Sequence, residues 1–176
     1  MVERGDTIEN PVTGERMTWV RTSAETGGAL AVIDLDLSPS AFLAAEHVHR
    51  SQEERFEVLE GRILLSSSGK QSVRGPGEVV VVPPGSPHSW APQDGTGARV
   101  RLTFTPGAFI EDFFEEFFRC AREGRTDERG VPSSPFVMAR LCTTHDLYGA
   151  QLPVPLQRAA FRLLVTAARA LPAQRR

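Results

Sequence analysis

Lysine is nearly missing from this chain. Lys70 is the only one, and arginine carries the rest of the positive charge. Lys and Arg together number 20 against 22 Asp and Glu, a formal net charge of −2. The basic excess that a nucleic-acid or anionic-membrane binder needs is therefore absent. Cysteine is scarce as well: Cys120 and Cys142 form no C-x-x-C pair, which argues against a disulfide framework or a cysteine-zinc module and fits a reducing cytoplasm. No stretch reaches the ~18–20 uninterrupted apolar residues of a membrane span. The start, Met1-Val2-Glu3-Arg4-Gly5-Asp6, lacks a basic segment followed by an apolar run, so no signal peptide is expected. The expectation from these absences is a soluble, cytoplasmic chain with neither nucleic acid nor membrane as a partner, which leaves a small molecule as the partner to look for. Its 176 residues suffice for one domain with a real core, or a domain with an appendage.

Two periods divide the chain. Up to about Thr105, short strand-like runs alternate with turn residues. Ile33, Leu35 and Leu37 alternate with Asp34 and Asp36, a period of two that predicts a strand with one wet face. Similar runs cover Arg16 to Thr22, Glu46–His49, Arg55–Glu60, Arg62–Ser66, Glu78–Val82, His88–Ala91 and Ala98–Phe104. Gly61, Gly69-Lys70, Gly75-Pro76-Gly77 and Asp94-Gly95 break them. Many short strands with Gly and Pro turns predict a sandwich or barrel. After Pro106 the period becomes helical: Phe109, Ile110, Phe113, Phe114, Phe117, Phe118 and Ala121 share one face, with Gly124 as a stop. Weaker helical stretches span Phe136 to Thr144 and Leu156 to Leu171, and the polar loop Arg125–Pro135 ahead of them is expected to be mobile.

Three of the four histidines fall into two clusters. The first reads His47-x-His49-x4-Glu54-x6-Gly61, and the second Gly77-x5-Pro83-x-Gly85-x2-His88. Histidines at i and i+2 on a strand share a face, so both reach one ion, and a Glu five residues later returns to it across a tight turn. Three imidazoles and a carboxylate suit a borderline-soft transition metal better than Ca or Mg. Glu53 competes with Glu54 for the carboxylate role. The spacing to Gly61 favours Glu54, and a shift of one residue turns the side chain to the other face.

These two motifs resemble those of the cupin superfamily, small jelly-roll β-barrels, in detail from about Ala41 to Pro92. The chain departs from the family pattern at Ala41, where a Gly often stands, and at Pro92, where an Asn often stands. The resemblance implies a mainly β fold, with a barrel over residues 1–106 and a helical extension over 107–176 that packs on the barrel or on a dimer partner. It makes His47, His49, Glu54 and His88 the ligands of one divalent ion (Fe, Ni, Mn, Cu or Zn), and it implies a homodimer. Glu54 could also serve as a catalytic base.

Trp90 has the parity of His88, and Phe56 and Val58 have the parity of Glu54. The three are candidate walls of an apolar substrate pocket for a hydrophobic or aromatic metabolite. Arg99 and Arg101 alternate with Val100 and Leu102 and are expected on a solvated or interface face. His145, ending a helical stretch, reads as a surface residue or an acid/base at a lid. Arg158, Arg162 and Arg169 read as a solvated stripe on the last helix. The phenylalanine helix is either packing or a lid over the barrel mouth. Three functions stay open: an oxygenase, a metal-dependent cyclase, isomerase or decarboxylase without redox chemistry, and a non-catalytic ligand-binding module.

Overall fold

The computed structural model describes residues 2–39, 41 and 45–169. In chain order the strands are β1 (Thr7–Asn10), β2 (Glu15–Arg21), β3 (Ala31–Leu37), β4 (His47–His49), β5 (Glu53–Glu60), β6 (Ile63–Ser67), β7 (Lys70–Arg74), β8 (Val79–Val82), β9 (His88–Pro92) and β10 (Ala98–Thr105). Then come helices α1 (Ile110–Arg122) and α2 (Pro135–Thr144), strand β11 (Leu147–Gly149) and helix α3 (Val154–Arg169). The strands form two antiparallel sheets. One runs β1-β2-β3-β10-β5-β8, the other β11-β4-β9-β6-β7. The mainly β architecture with C-terminal helices is the one the strand pattern predicts.

Alternation builds the core. Along β2, β3, β5 and β10 every second residue turns inward, so residues paired across strands stack in rows. Phe56, Leu102, Ile33 and Trp19 make one row, and Val58, Val100, Leu35 and Met17 the next. All eight are at most 3% exposed, and each such side chain contributes roughly 1.5–3 kcal/mol by leaving water. On the outer face Asp34 accepts hydrogen bonds from Arg99 (3.1 Å) and from Arg101 (2.7 and 3.0 Å). These arginines therefore close over a buried acid at the sheet surface. Gly61 ends β5 at φ 71°, and a Cβ there would meet the Gly97 carbonyl oxygen at 2.4 Å. That close approach requires glycine.

The change of period near residue 106 is real, but it does not separate the two parts. α1 lays its phenylalanine face on the six-stranded sheet: Phe114 meets Trp19 and Phe104 with ring centroids 6.3 and 6.0 Å apart. Ile110, Phe113, Phe118, Val137 and Leu141 join the same hydrophobic cluster as the strands. The chain then returns as β11, which pairs with β4 through Leu147↔His49, Tyr148↔Val48 and Gly149↔His47. Between α1 and α2 the loop, expected to be mobile, carries contacts of its own with the barrel. Thr126 and Pro132 form a bridge, Asp127 Oδ1 accepts from the amides of Arg129 and Val131 at 2.9 Å each, and Gly130 packs on Asn10 and Thr13. α3 begins two residues before its expected start. Leu171, the expected end, lies outside the described residues, as does the side chain of Arg169. Among the described residues no helix is long and apolar enough to cross a membrane.

Candidate metal centre

β4 carries His47 and His49 on one face, β9 pairs with it at His47↔His88, and β5 brings Glu54 from the opposite sheet. The structure thus draws His47, His49, Glu54 and His88 together, each offering one ligand atom, with all four atoms within 4.8 Å of one another. The imidazole centroids lie 4.3 Å apart for His47 and His88, and 5.1 Å for His47 and His49. His49, Glu54 and His88 are at most 5% exposed, and His47 is half-buried. Glu53, one residue away on β5, stays outside this cluster.

The hydrogen bonds around the cluster indicate which nitrogens are free for a cation. Nδ1 of His47 faces the Ala45 carbonyl at 3.1 Å, and Nδ1 of His88 faces the Ser86 carbonyl at 3.0 Å. A carbonyl only accepts, so each Nδ1 carries a proton and each Nε2 is left with a lone pair, the arrangement typical of ligating histidines. Yet Glu54 Oε2 lies 2.9 Å from His88 Nε2 and 3.4 Å from His49 Nε2. For His88, whose one proton sits on Nδ1, an approach that close requires a second ring proton or a metal ion, whereas His49, its Nδ1 without a partner among the described residues, can donate from a neutral Nε2–H. The four donors fit a metal.

Protonation follows the same geometry. Burial, then the neighbouring His49 and His88, push His47 down to about 3. Burial alone would raise Glu54, but hydrogen bonds from His49 and His88 outweigh it and hold the carboxyl well below its usual range. For His88 burial works downward, while the hydrogen bond and charge of Glu54 carry the net shift upward. The site thus keeps one anion and at least one neutral imidazole at neutral pH, as metal ligation requires.

The cluster opens on a cavity of about 260 Å³. Trp90 lines it. Phe56 and Val58 do not: both are 1% exposed in the packed core, and Phe56 stands edge-on behind His88 and Trp90, with centroids 6.1 and 5.3 Å away. Their inward parity takes them into the filled part of the barrel. Sequence reasoning missed most of the actual wall. Met17, Leu35, Leu102 and Phe104 come from the large sheet, Phe113, Phe114, Phe117 and Phe118 from α1, and Leu147 from β11. The signal was available in the period-two alternation of β2, β3 and β10, but α1's choice of face to cover was not. His145 caps the end of α2, half-buried, its ring 5.6 Å from Phe113 and its pKa lowered by burial, and it does not line the cavity.

Residues 34–105 match the family model of the cupin domain. No curated protein matches the chain. Many solved structures share the fold. KdgF from a Halomonas species is 17% identical with a TM-score of 0.50, over 57% of this chain and 86% of that one. A predicted oxalate decarboxylase from Thermotoga maritima is 18% identical with a TM-score of 0.51, over 60% and 99%. An RmlC-like cupin from Shewanella frigidimarina is 22% identical with a TM-score of 0.51, over 64% and 92%. At these identities the likeness carries the fold alone.

Proposed function

Taking as premise that this chain belongs to the cupin superfamily, we propose that it is a metal-dependent oxygenase of a small, largely apolar metabolite. One observation carries this reading: three imidazoles and a carboxylate converge at the end of an internal cavity walled by Phe, Leu, Met and Trp side chains. His47, His49, Glu54 and His88 would hold one divalent Fe, Ni, Mn or Cu ion. Bound there, such an ion would supply Lewis-acid and redox chemistry toward an oxygen-chelating substrate.

The remaining work falls to the chain. The phenylalanines of α1, with Met17, Leu35 and Leu102, exclude water and orient an apolar body by shape. Trp90 closes one side. Glu54, held as an anion, takes the acidic proton of an enol or phenol presented at its free oxygen. Its lowered pKa makes it a weak base, so this step suits a substrate that is already acidic. Among the described residues, the titratable side chains that line this cavity besides the cluster itself are Glu15, Glu46, Arg129 and Cys142. That is a sparse set for an isomerase, which needs acid and base on both sides of its substrate.

The test begins with elemental analysis of protein purified without chelators, followed by oxygen-uptake assays with phenols and diketones. Near-stoichiometric Fe, Ni, Mn or Cu and substrate-dependent oxygen uptake are expected. His49→Ala should lose both the metal and turnover, and full activity in that variant would overturn the proposal. Turnover that persists without oxygen would replace it with non-redox chemistry. A chain that takes up no metal would leave ligand binding as the function.

A further inference from the structure

Away from the ligand cluster the cavity crosses the inner face of the large sheet diagonally. It runs past Phe104 and Leu102 on β10, Leu35 on β3 and Met17 on β2, and reaches Glu15 and Thr13. Its two ends are polar and its length is apolar. Glu15 opens β2 with the inward parity of Met17 and Trp19 and is only 8% exposed. A carboxyl group is costly to place there. Its one hydrogen-bond partner among the described residues is the Thr13 hydroxyl, at 2.7 Å, and no cation among them pairs with it. Burial accordingly raises its pKa. Asn10 stands opposite Glu15 in the β1–β2 ladder, 1% exposed, and its Nδ2 finds no acceptor among the described residues. Among the described residues the Glu15 carboxyl thus keeps hydrogen-bonding capacity beyond its bond to Thr13, at the wall of a cavity that Arg129 also lines. An isosteric apolar residue would serve packing alone at least as well.

We propose that Glu15 is a specificity-determining residue that accepts a hydrogen bond from a hydroxyl or amine at the end of the substrate remote from its metal-chelating group. This rests on the metal-centre reading given above and deepens it. The ligand class is an elongated molecule with a chelating oxygen head, an apolar body and a donor tail. Elongation is required because Glu54 and Glu15 lie on strands three apart in the sheet, β5 and β2. A single compact ring cannot touch both ends.

Straight-chain alkyl hydroxamates test this, since the hydroxamate chelates the ion and the chain can end in methyl, hydroxyl or amine at increasing lengths. Affinities are measured by calorimetry on the metal-loaded protein, with metal content assayed in every sample. At one chain length the hydroxyl- and amine-ended compounds should bind about tenfold or more tighter than the methyl-ended one. Glu15→Leu should abolish that preference at unchanged metal content, and Glu15→Gln should keep the hydroxyl preference while losing the amine preference. Equal affinities for all three endings in the wild type would overturn the proposal while leaving the metal centre standing. So would an unchanged preference in Glu15→Leu accompanied only by a lower melting temperature, because Glu15 would then merely hold Thr13. A wild-type protein that binds no metal would overturn the underlying reading itself, and the metal assay shows this before any hydroxamate is added.

Discussion

A group whose protonation differs between the folded and unfolded states makes stability depend on pH, and three residues of the His/Glu cluster contribute with different signs. His47 titrates near 6.5 when unfolded but only at about 3 when folded. Below pH 6.5 the unfolded state therefore binds the extra proton, and stability falls as pH falls through this window. The slope is at most about 1.4 kcal/mol per pH unit, reduced by solvent at a half-buried ring. Glu54, with its folded pKa depressed, adds to the loss below 4.5. His88, raised, contributes stability that is complete below 6.5 and is lost as pH rises through its folded value. Glu15, also raised, favours the fold below 4.5 and loses that contribution as pH rises. Chelator-stripped protein should thus be most stable close to neutrality and should lose stability steadily from pH 6 to pH 4. Urea midpoints across that range measure it, and a flat profile would show that His47 is not held neutral. At the same scale Glu53→Gln should leave metal content unchanged while Glu54→Gln lowers it. Only Glu54 lies in the cluster, and the reverse result would shift the register by one.

Elements explain what the sequence could and could not foretell. The clustering of His47, His49, Glu54 and His88 was readable because each member is set by local spacing: i and i+2 on a strand, a turn, a return. The α1 helix was readable from its stripe of phenylalanines. β11 was not, for Leu147-Tyr148-Gly149 is three residues long and has no alternation of its own. It is a strand because β4 offers it an edge and because Tyr148, 1% exposed, stacks on Phe161 of α3. Likewise Phe56 and Val58 had the correct parity but the wrong depth, since parity fixes the face of a sheet and not where its packing leaves a void. The join between β2 and α1 is another tertiary feature. Glu111, in the first turn of α1 and 5% exposed, accepts from the Ser23 amide and, at 2.9 Å, from its hydroxyl. A carboxylate there also faces the positive end of the helix. Glu111→Ala strands a buried amide and should cost about 2–3 kcal/mol, read as a lower urea midpoint. Because α1 roofs the cavity, the same variant should also bind apolar ligands more weakly. An unchanged midpoint would mean that the phenylalanine face alone seats α1.

For the whole molecule, the candidate ligands sit at a weakly paired seam. β4 is three residues long, and its ladder to β9 is the single pair His47↔His88, whereas β5 and β10 pair along nearly their full length. His47, His49 and His88 belong to the five-stranded sheet and Glu54 to the six-stranded one. An ion bound by all four would tie the two sheets at this weak seam, and through β4 it would also brace β11 and the helices that follow. Binding to the folded state alone stabilises by about 2.7 kcal/mol when free metal stands at 100 times its dissociation constant. For a chain of this size each kcal/mol moves the melting temperature by roughly 2–4 °C. Loading the stripped protein should therefore raise its melting temperature by about 5–11 °C. Hydrogen exchange places the effect: amides of β4 and β11 should gain more protection than those of β3 or β10, which are already locked in the core. A rise in melting temperature without that local protection would put the ion elsewhere. Protection of β4 and β11 that vanishes in His49→Ala would tie the stability of the C-terminal segment to the metal centre.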